Sequence, residues 1–87
     1  MKLLFCKECR CVFSLSRSEK TCDCGRCKGR YTDNLNAVYS GAEAVPLGFK
    51  NGSFAYAMHR QIELGEGIDF TAFAIREDCE TFVREKV

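Results

Sequence analysis

Six of the chain's seven cysteines fall within residues 6–27, and that crowding restricts the fold more than any other feature. At 87 residues the chain makes one small domain, and such a domain buries only about 60–65% of the surface its unfolded form exposes. An extra staple is therefore expected. The opening MKLLFC looks like the start of an export signal, but its apolar run ends at Phe5, far short of the roughly 7–15 residues such a signal needs. No later stretch approaches the roughly 20 apolar residues of a membrane span. The expectation is a cytoplasmic protein with no membrane contact, in a reducing compartment where close-set cysteines serve as metal ligands rather than disulfides. The odd cysteine count points the same way.

Cys6-Lys7-Glu8-Cys9 is a C-x-x-C pair directly after a short apolar run. Two thiolates at that spacing reach one ion from a tight turn, with backbone N–H groups free to bond the sulfurs. The segment TCDCGRCKGR, residues 21–30, holds three more thiols. Cys22 and Cys24 precede Gly25, the residue type that lets a chain leave a knuckle with positive φ. Cys24 and Cys27 form a C-x-x-C of their own, so Cys27 competes for a place. The favoured reading is a tetrahedral Zn²⁺ held by Cys6, Cys9, Cys22 and Cys24, with Cys27 the fifth candidate. Iron–sulfur binding and thiol redox chemistry are the alternatives. Apolar filler cysteines have no reason to crowd among Lys, Arg and Asp. Cys11, in an apolar run, and Cys79, remote from the cluster, read instead as core or surface thiols. A structural zinc supplies roughly 10–16 kcal/mol of folding free energy in small peptides, more than a short hairpin gains from burial. A catalytic zinc needs an open coordination position, which four sulfurs do not leave.

Charge divides the chain near Tyr31. Residues 1–31 carry eight basic and three acidic side chains, net +5, and residues 32–87 carry five basic and nine acidic, net −4. Four thiolates on a dication take two units from the first part, leaving it at +3 and still basic.

No repeat or low-complexity tract interrupts the sequence. In residues 1–31, Lys2–Phe5 and Cys11–Leu15 are apolar runs flanking the first cysteine pair, and Ser16–Lys20 is polar and turn-like. In residues 32–87, Leu35–Tyr39 and Ala44–Phe49 read as strands separated by Ser40-Gly41, and Pro46 marks the second as an edge or interrupted strand. Asn51-Gly52-Ser53 supplies capping chemistry for a helix over residues 54–64, with Phe54, Met58 and Ile62 on one face and Gly65 and Gly67 ending it. IDFTAFAIRE, residues 68–77, alternates as a largely buried strand. Residues 81–87 read as a last strand or a short helix, with the strand favoured. The fold class is α+β: a small zinc ribbon of β-hairpins over residues 1–31 joined to a short sheet with one helix over residues 32–87, packed as one unit.

The C-x-x-C followed by C-x-C-G, with GRYTDNLNAVYSG and PLGFKNGSF after it, resembles the zinc-ribbon class, in particular small bacterial proteins with this layout. The resemblance implies a ribbon fold and a metal with Cys6, Cys9, Cys22 and Cys24 in the ligand places. It implies no activity, because ribbons serve transcription, translation, replication and protein docking alike.

Arg26, Lys28 and Arg30, followed by Tyr31, suit a nucleic-acid contact in which the cations track phosphates and the ring stacks on a base. A solvated knuckle surface is the plainer reading. Lys50-Asn51-Gly52-Ser53 reads as an N-cap or an anion site, and Phe49, Phe54 and Tyr56 read as core. His59, the sole histidine, has no partner pattern for catalysis and reads as solvated or capping. No nucleophile triad, H-E-x-x-H or phosphate loop appears, so no enzymatic activity is expected. The expectation is a nucleic-acid-associated accessory module, with a protein-interaction subunit, homo-oligomer included, as the alternative. A thiol sensor in which Cys27 or Cys11 exchanges with the ligands is a third reading.

Overall fold

Along Leu3-Leu4-Phe5-Cys6, alternate side chains enter the core: Leu4 and Cys6 are fully buried, Leu3 and Phe5 half-buried. This is β1 (Leu3–Cys6), and it turns through the first cysteine pair into β2 (Val12–Ser14). The computed structural model describes residues 2–60 and 67–85. The chain continues through β3 (Lys20–Thr21), β4 (Lys28–Tyr31), β5 (Ala37–Ser40), β6 (Ala44–Phe49), α1 (Asn51–His59), β7 (Ala72–Ala74) and β8 (Phe82–Arg84). The described residues form eight strands in two sheets and one short helix, an α+β arrangement that is mostly β.

One sheet has the order β2-β1-β6-β7 and is antiparallel throughout. The other has the order β3-β4-β5-β8, antiparallel except for the β5–β8 pair. Each sheet therefore draws strands from both sides of Tyr31. The sheets meet where Leu4 of β1 packs on Gly29 of β4: a Cβ added at Gly29 would stand 2.9 Å from Leu4 Cδ1 and 3.2 Å from Leu15 Cδ2. Leucine side chains lie on bare backbone there. Leu4, Cys6, Leu15, Cys22, Cys27, Ala37, Tyr39, Ala44 and Phe82 form the shared core, with Tyr39 and Phe82 packed edge-on at 5.1 Å. Arg84 lies 4.8 Å over the Tyr39 ring and donates to the carbonyls of Gly41 and Ala44. It ties β8 to the turn between β5 and β6.

Four strand and helix expectations are corrected. First, the strand expected from Leu35 begins at Ala37, because Asp33 accepts from the N–H groups of Leu35 (2.8 Å) and Asn36 (2.7 Å) and holds Leu35 in an exposed turn. Second, β6 is an interior strand despite Pro46. Its neighbour on the β1 side is Leu4, and on the other side its carbonyl accepts from Ile75 N–H at 2.8 Å, just past the end of β7. The missing N–H thus falls where pairing is already ending.

Third, residues 68–77 do not make a long buried strand. Only Ala72–Ala74 pair, and all three are exposed. Phe73 lies over the bare backbone of Gly48, and Phe70 joins Phe49 and Phe54 in a ring cluster with centroids 5.0–5.2 Å apart. Among the described residues no third layer covers the strand's other face, as expected of so small a chain.

Fourth, α1 starts at Asn51, with Lys50 as a cap residue that makes no side-chain cap bond. Ser53 does not cap. Its hydroxyl donates to the Lys50 carbonyl (2.9 Å) and accepts from Thr71 N–H (2.9 Å), pinning the helix to the β7 approach. The predicted apolar face is only partly used: Phe54 packs in the ring cluster, Met58 is exposed, and the one buried helix residue is Ala57. Tyr56, expected in the core, is exposed with Arg60 at 5.4 Å over its ring. The predicted continuation through Ile62 to Leu64, its Gly65 stop and the last two residues of the final strand lie outside the described residues. No helix among the described residues is long and apolar enough to cross a membrane.

Candidate metal centre

Two short turns, one from each sheet, deliver the sulfurs. The first closes between Cys6 N–H and Cys11 C=O (3.0 Å), inside the β1–β2 hairpin. The second closes between Cys22 N–H and Cys27 C=O (2.9 Å), inside the β3–β4 hairpin. Each leaves its second cysteine through a residue with left-handed backbone, Arg10 (φ 61°) after Cys9 and Gly25 (φ 77°) after Cys24. The parallel is visible in the sequence as Cys-x-x-x-Arg-Cys at residues 6–11 and again at 22–27. Ligand spacing alone does not bring this recurrence out.

The sulfurs of Cys6, Cys9, Cys22 and Cys24 all lie within 4.8 Å of one another. Cys6 and Cys24 are 3.7 Å apart and Cys22 and Cys24 3.4 Å. A tetrahedron with zinc–sulfur bonds of about 2.3 Å has sulfur–sulfur edges of about 3.8 Å, so the donor set fits a single tetrahedral ion. Cys6 and Cys22 are buried, Cys9 is half-buried and Cys24 is exposed. The fifth thiol, Cys27, is fully buried beside them, and its backbone N–H donates to Cys22 Sγ at 3.3 Å.

The electrostatics are those of acids crowded into one space. The Cys9 N–H holds the Cys6 thiol below its ordinary value. Burial works against the Cys22 thiolate, but the Cys27 N–H and the neighbouring sulfurs outweigh it and bring that thiol down to about 6. At Cys24 the Arg26 N–H favours the thiolate, yet desolvation and the sulfurs of Cys22, Cys6 and Cys9 win, and the thiol is pushed up to about 12. Burial pushes Cys27 up to about 12, with Cys6 and Cys22 adding to it. Opposed directions within one cluster are what competing like charges produce. A dication held by the four sulfurs would remove the competition and let four thiolates coexist.

The nucleic-acid candidates lie around the second turn, each already engaged. Arg26 is 3.6 Å from Glu8, Lys28 3.6 Å from Glu19 and Arg30 3.9 Å from Glu85. Tyr31 is half-buried, its hydroxyl accepts from Lys2 N–H (3.0 Å), and the Lys2 ammonium stands 5.8 Å over its ring. Arg17 donates to Asn34 (2.8 Å). Lys28 and Arg30 alternate on one side of β4, with Gly29 between them facing the core. His59 is exposed in the last turn of α1, and Cys11 is half-buried against the core. Cys79 is also half-buried, beside Thr81 at 3.5 Å, with its thiol held low chiefly by that hydroxyl. It lines a cavity of about 480 Å³ with Phe73, Ile75, Arg76, Asp78 and Glu80.

Fold and site together define a small two-sheet protein with a four-thiol cluster positioned to bind a metal ion. Set against known proteins, the chain matches no family model, no curated protein and no solved structure.

Proposed function

We propose that the chain is a non-enzymatic structural-zinc module, with the ion held between the cysteine hairpins of its two sheets, that acts by binding a macromolecular partner. The observation that carries this is the convergence of Cys6, Cys9, Cys22 and Cys24 from two hairpins within 4.8 Å. Sulfur-only sites favour zinc, and with four protein ligands the ion has a structural part rather than a catalytic one. Without it, the two turns join through the exposed Arg26–Glu8 pair and a core whose largest fully buried side chains include Tyr39, Phe82 and Leu4.

The geometry favours a protein partner. Arg26, Lys28 and Arg30 each face a carboxylate within 4 Å, which cancels much of the field a phosphate backbone would feel. Tyr56, Met58, Phe70 and Phe73 stand exposed around α1 and β7, and aromatic residues and methionine are enriched in protein interfaces. The opposite charges of residues 1–31 and 32–87 suit a second copy of the chain as well as a larger complex. The nucleic-acid reading comes second, supported by the alternation of Lys28 and Arg30 on one side of β4. Their exposed ion pairs are worth only about 0–1 kcal/mol each, so a phosphate can displace the carboxylates.

The test has two arms. Native mass spectrometry of the purified chain should show one zinc, and metal-free chain would sink the module reading. Binding to a mixed pool of DNA and RNA at about 50 mM salt, where non-specific electrostatic attachment is strong, should give no retention. Retention with a log–log salt slope that flattens by about two to three units in an Arg26→Gln/Lys28→Gln/Arg30→Gln variant would put nucleic acid first.

A further inference from the structure

The first sheet ends in two edge strands, β2 and β7, and the ladder bonds decide which backbone groups each edge presents. Lys50 N–H donates to Thr71 C=O and Ile75 N–H to Pro46 C=O, both at 2.8 Å, so Thr71, Phe73 and Ile75 bond inward to the β6 side. In an antiparallel pair the alternate residues turn their N–H and C=O away from that neighbour. On β7 these are Ala72 and Ala74, and among the described residues nothing bonds them on the outer side. On β2, Cys6 N–H donates to Cys11 C=O (3.0 Å) and Leu15 N–H to Lys2 C=O (3.3 Å), which leaves Val12 and Ser14 turned outward. All four outward residues are exposed.

We propose that copies of this chain associate head to tail, the β7 edge of one taking the β2 edge of the next, so that their first sheets run on as one. The proposal rests on the protein-partner reading and names that partner as a second copy. Three properties of the two edges agree. The order β2-β1-β6-β7 is antiparallel at every step, so an identically oriented copy lays its β2 antiparallel to β7. The faces match as well. Across the register, Ser14, Leu3, Leu47 and Ala74 share one side of the sheet, and Phe13, Leu4, Pro46 and Ile75 share the core side. Both edges therefore bond through residues of the same outer side, and joining them continues the core face instead of turning the second copy over. Charge is the third property. Setting Ala74 against Val12 and Ala72 against Ser14 of a second copy brings the exposed Asp69 opposite the exposed Arg17 and Phe73 beside Phe13. Arg10 then falls at Arg76, which Asp78 already pairs at 2.8 Å and Glu77 adjoins. The second sheet has no such match, because its β5–β8 pair is parallel and its β3 edge is two residues long. Unlike edges do not close into a symmetric pair, so the assembly is open-ended.

The experiment is sedimentation velocity of the zinc-loaded full chain across a range of concentrations, with Ala72→Pro blocking one edge and Ser14→Pro the other. Each proline removes an outward N–H and leaves the ladder within its own sheet untouched. The unmodified chain should sediment faster as concentration rises, with species beyond the dimer. Each blocked variant alone should stay monomeric, and an equal mixture of the two should form a dimer and grow no further. A monomeric unmodified chain, a mixture that stays monomeric, or a Ser14→Pro variant that dimerises alone through like β7 edges would each overturn the proposal. Should a proline variant not fold, the charges decide. Asp69→Arg and Arg17→Asp should each raise the midpoint concentration of association by about two- to fivefold, and both exchanges in one chain should restore it. Midpoints that do not move, or a double exchange that does not restore them, overturn the proposal. If the chain stays monomeric yet carries zinc and ignores nucleic acid, self-association alone has failed. The protein-partner reading fails instead when the chain is retained by the DNA and RNA pool.

Discussion

Cys6 and Cys9 supply half of the four-sulfur set from one turn, and Cys79 sits apart from it beside Thr81, so the two locations give matched tests of what the thiols do. The Cys6→Ser/Cys9→Ser variant should bind no zinc and lose most of the roughly 10–16 kcal/mol that a structural ion supplies. Cys79→Ser should leave the metal content unchanged. Both outcomes are read by native mass spectrometry. Asp33 offers a test away from the metal. Asn36, through its side-chain amide and backbone N–H, together with the Leu35 N–H, holds that carboxyl down at about 2. Because the folded value is depressed, the contribution is complete above the ordinary carboxylate value of about 3.9 and is lost as pH falls through about 2. Asp33→Asn should therefore lower stability at neutral pH, with the difference shrinking as pH falls from the ordinary carboxylate value through about 2, as measured by denaturant titration across that window.

At the scale of elements, the turn between β5 and β6 connects the fold to the site. Gly41 has φ 115°, and a side chain there would meet the Arg26 carbonyl at 2.4 Å. Gly41→Ala should destabilise by at least about 1–3 kcal/mol from backbone strain alone. Because the clash falls on Arg26 and Cys27, it should also weaken zinc retention in a chelator competition; unchanged retention would mean that the second turn does not depend on this support. Ser40-Gly41 was legible in the sequence as a turn, and so was the C-x-x-C after an apolar run. What escaped was set by tertiary contact. β4 reads poorly as a strand because Gly29 interrupts it, yet Gly29 is there to admit Leu4 and Leu15. Among the described residues, β7 pairs with β6 on one side only and its three residues stay exposed, which limits its reach. Ser53 looked like a cap and instead bonds across to Thr71, a partner 18 residues away that no local pattern indicates.

At the scale of the whole molecule, the radius of gyration is 14.2 Å and the extents are 46 × 26 × 22 Å. A compact chain of this length has a radius of about 12 Å. Elongation leaves little centre to bury, and the core is correspondingly thin. The cysteine turns belong one to each sheet, β1–β2 to the first and β3–β4 to the second. Each sheet is completed by later strands, since β1 pairs with β6 and β4 with β5. Removing an ion bound by the four sulfurs would therefore withdraw a link between the two sheets rather than loosen a separate ribbon. The expected outcome is that a chelator converts one cooperative thermal transition into general loss of structure, with the β5, β6 and β8 amides losing hydrogen-exchange protection together with those of β1 and β4. If exchange instead shows β5, β6 and β8 still protected while only residues 3–31 open, the metal holds a local ribbon alone. Its contribution would then be confined to the two hairpins and would not extend to the contact between the sheets.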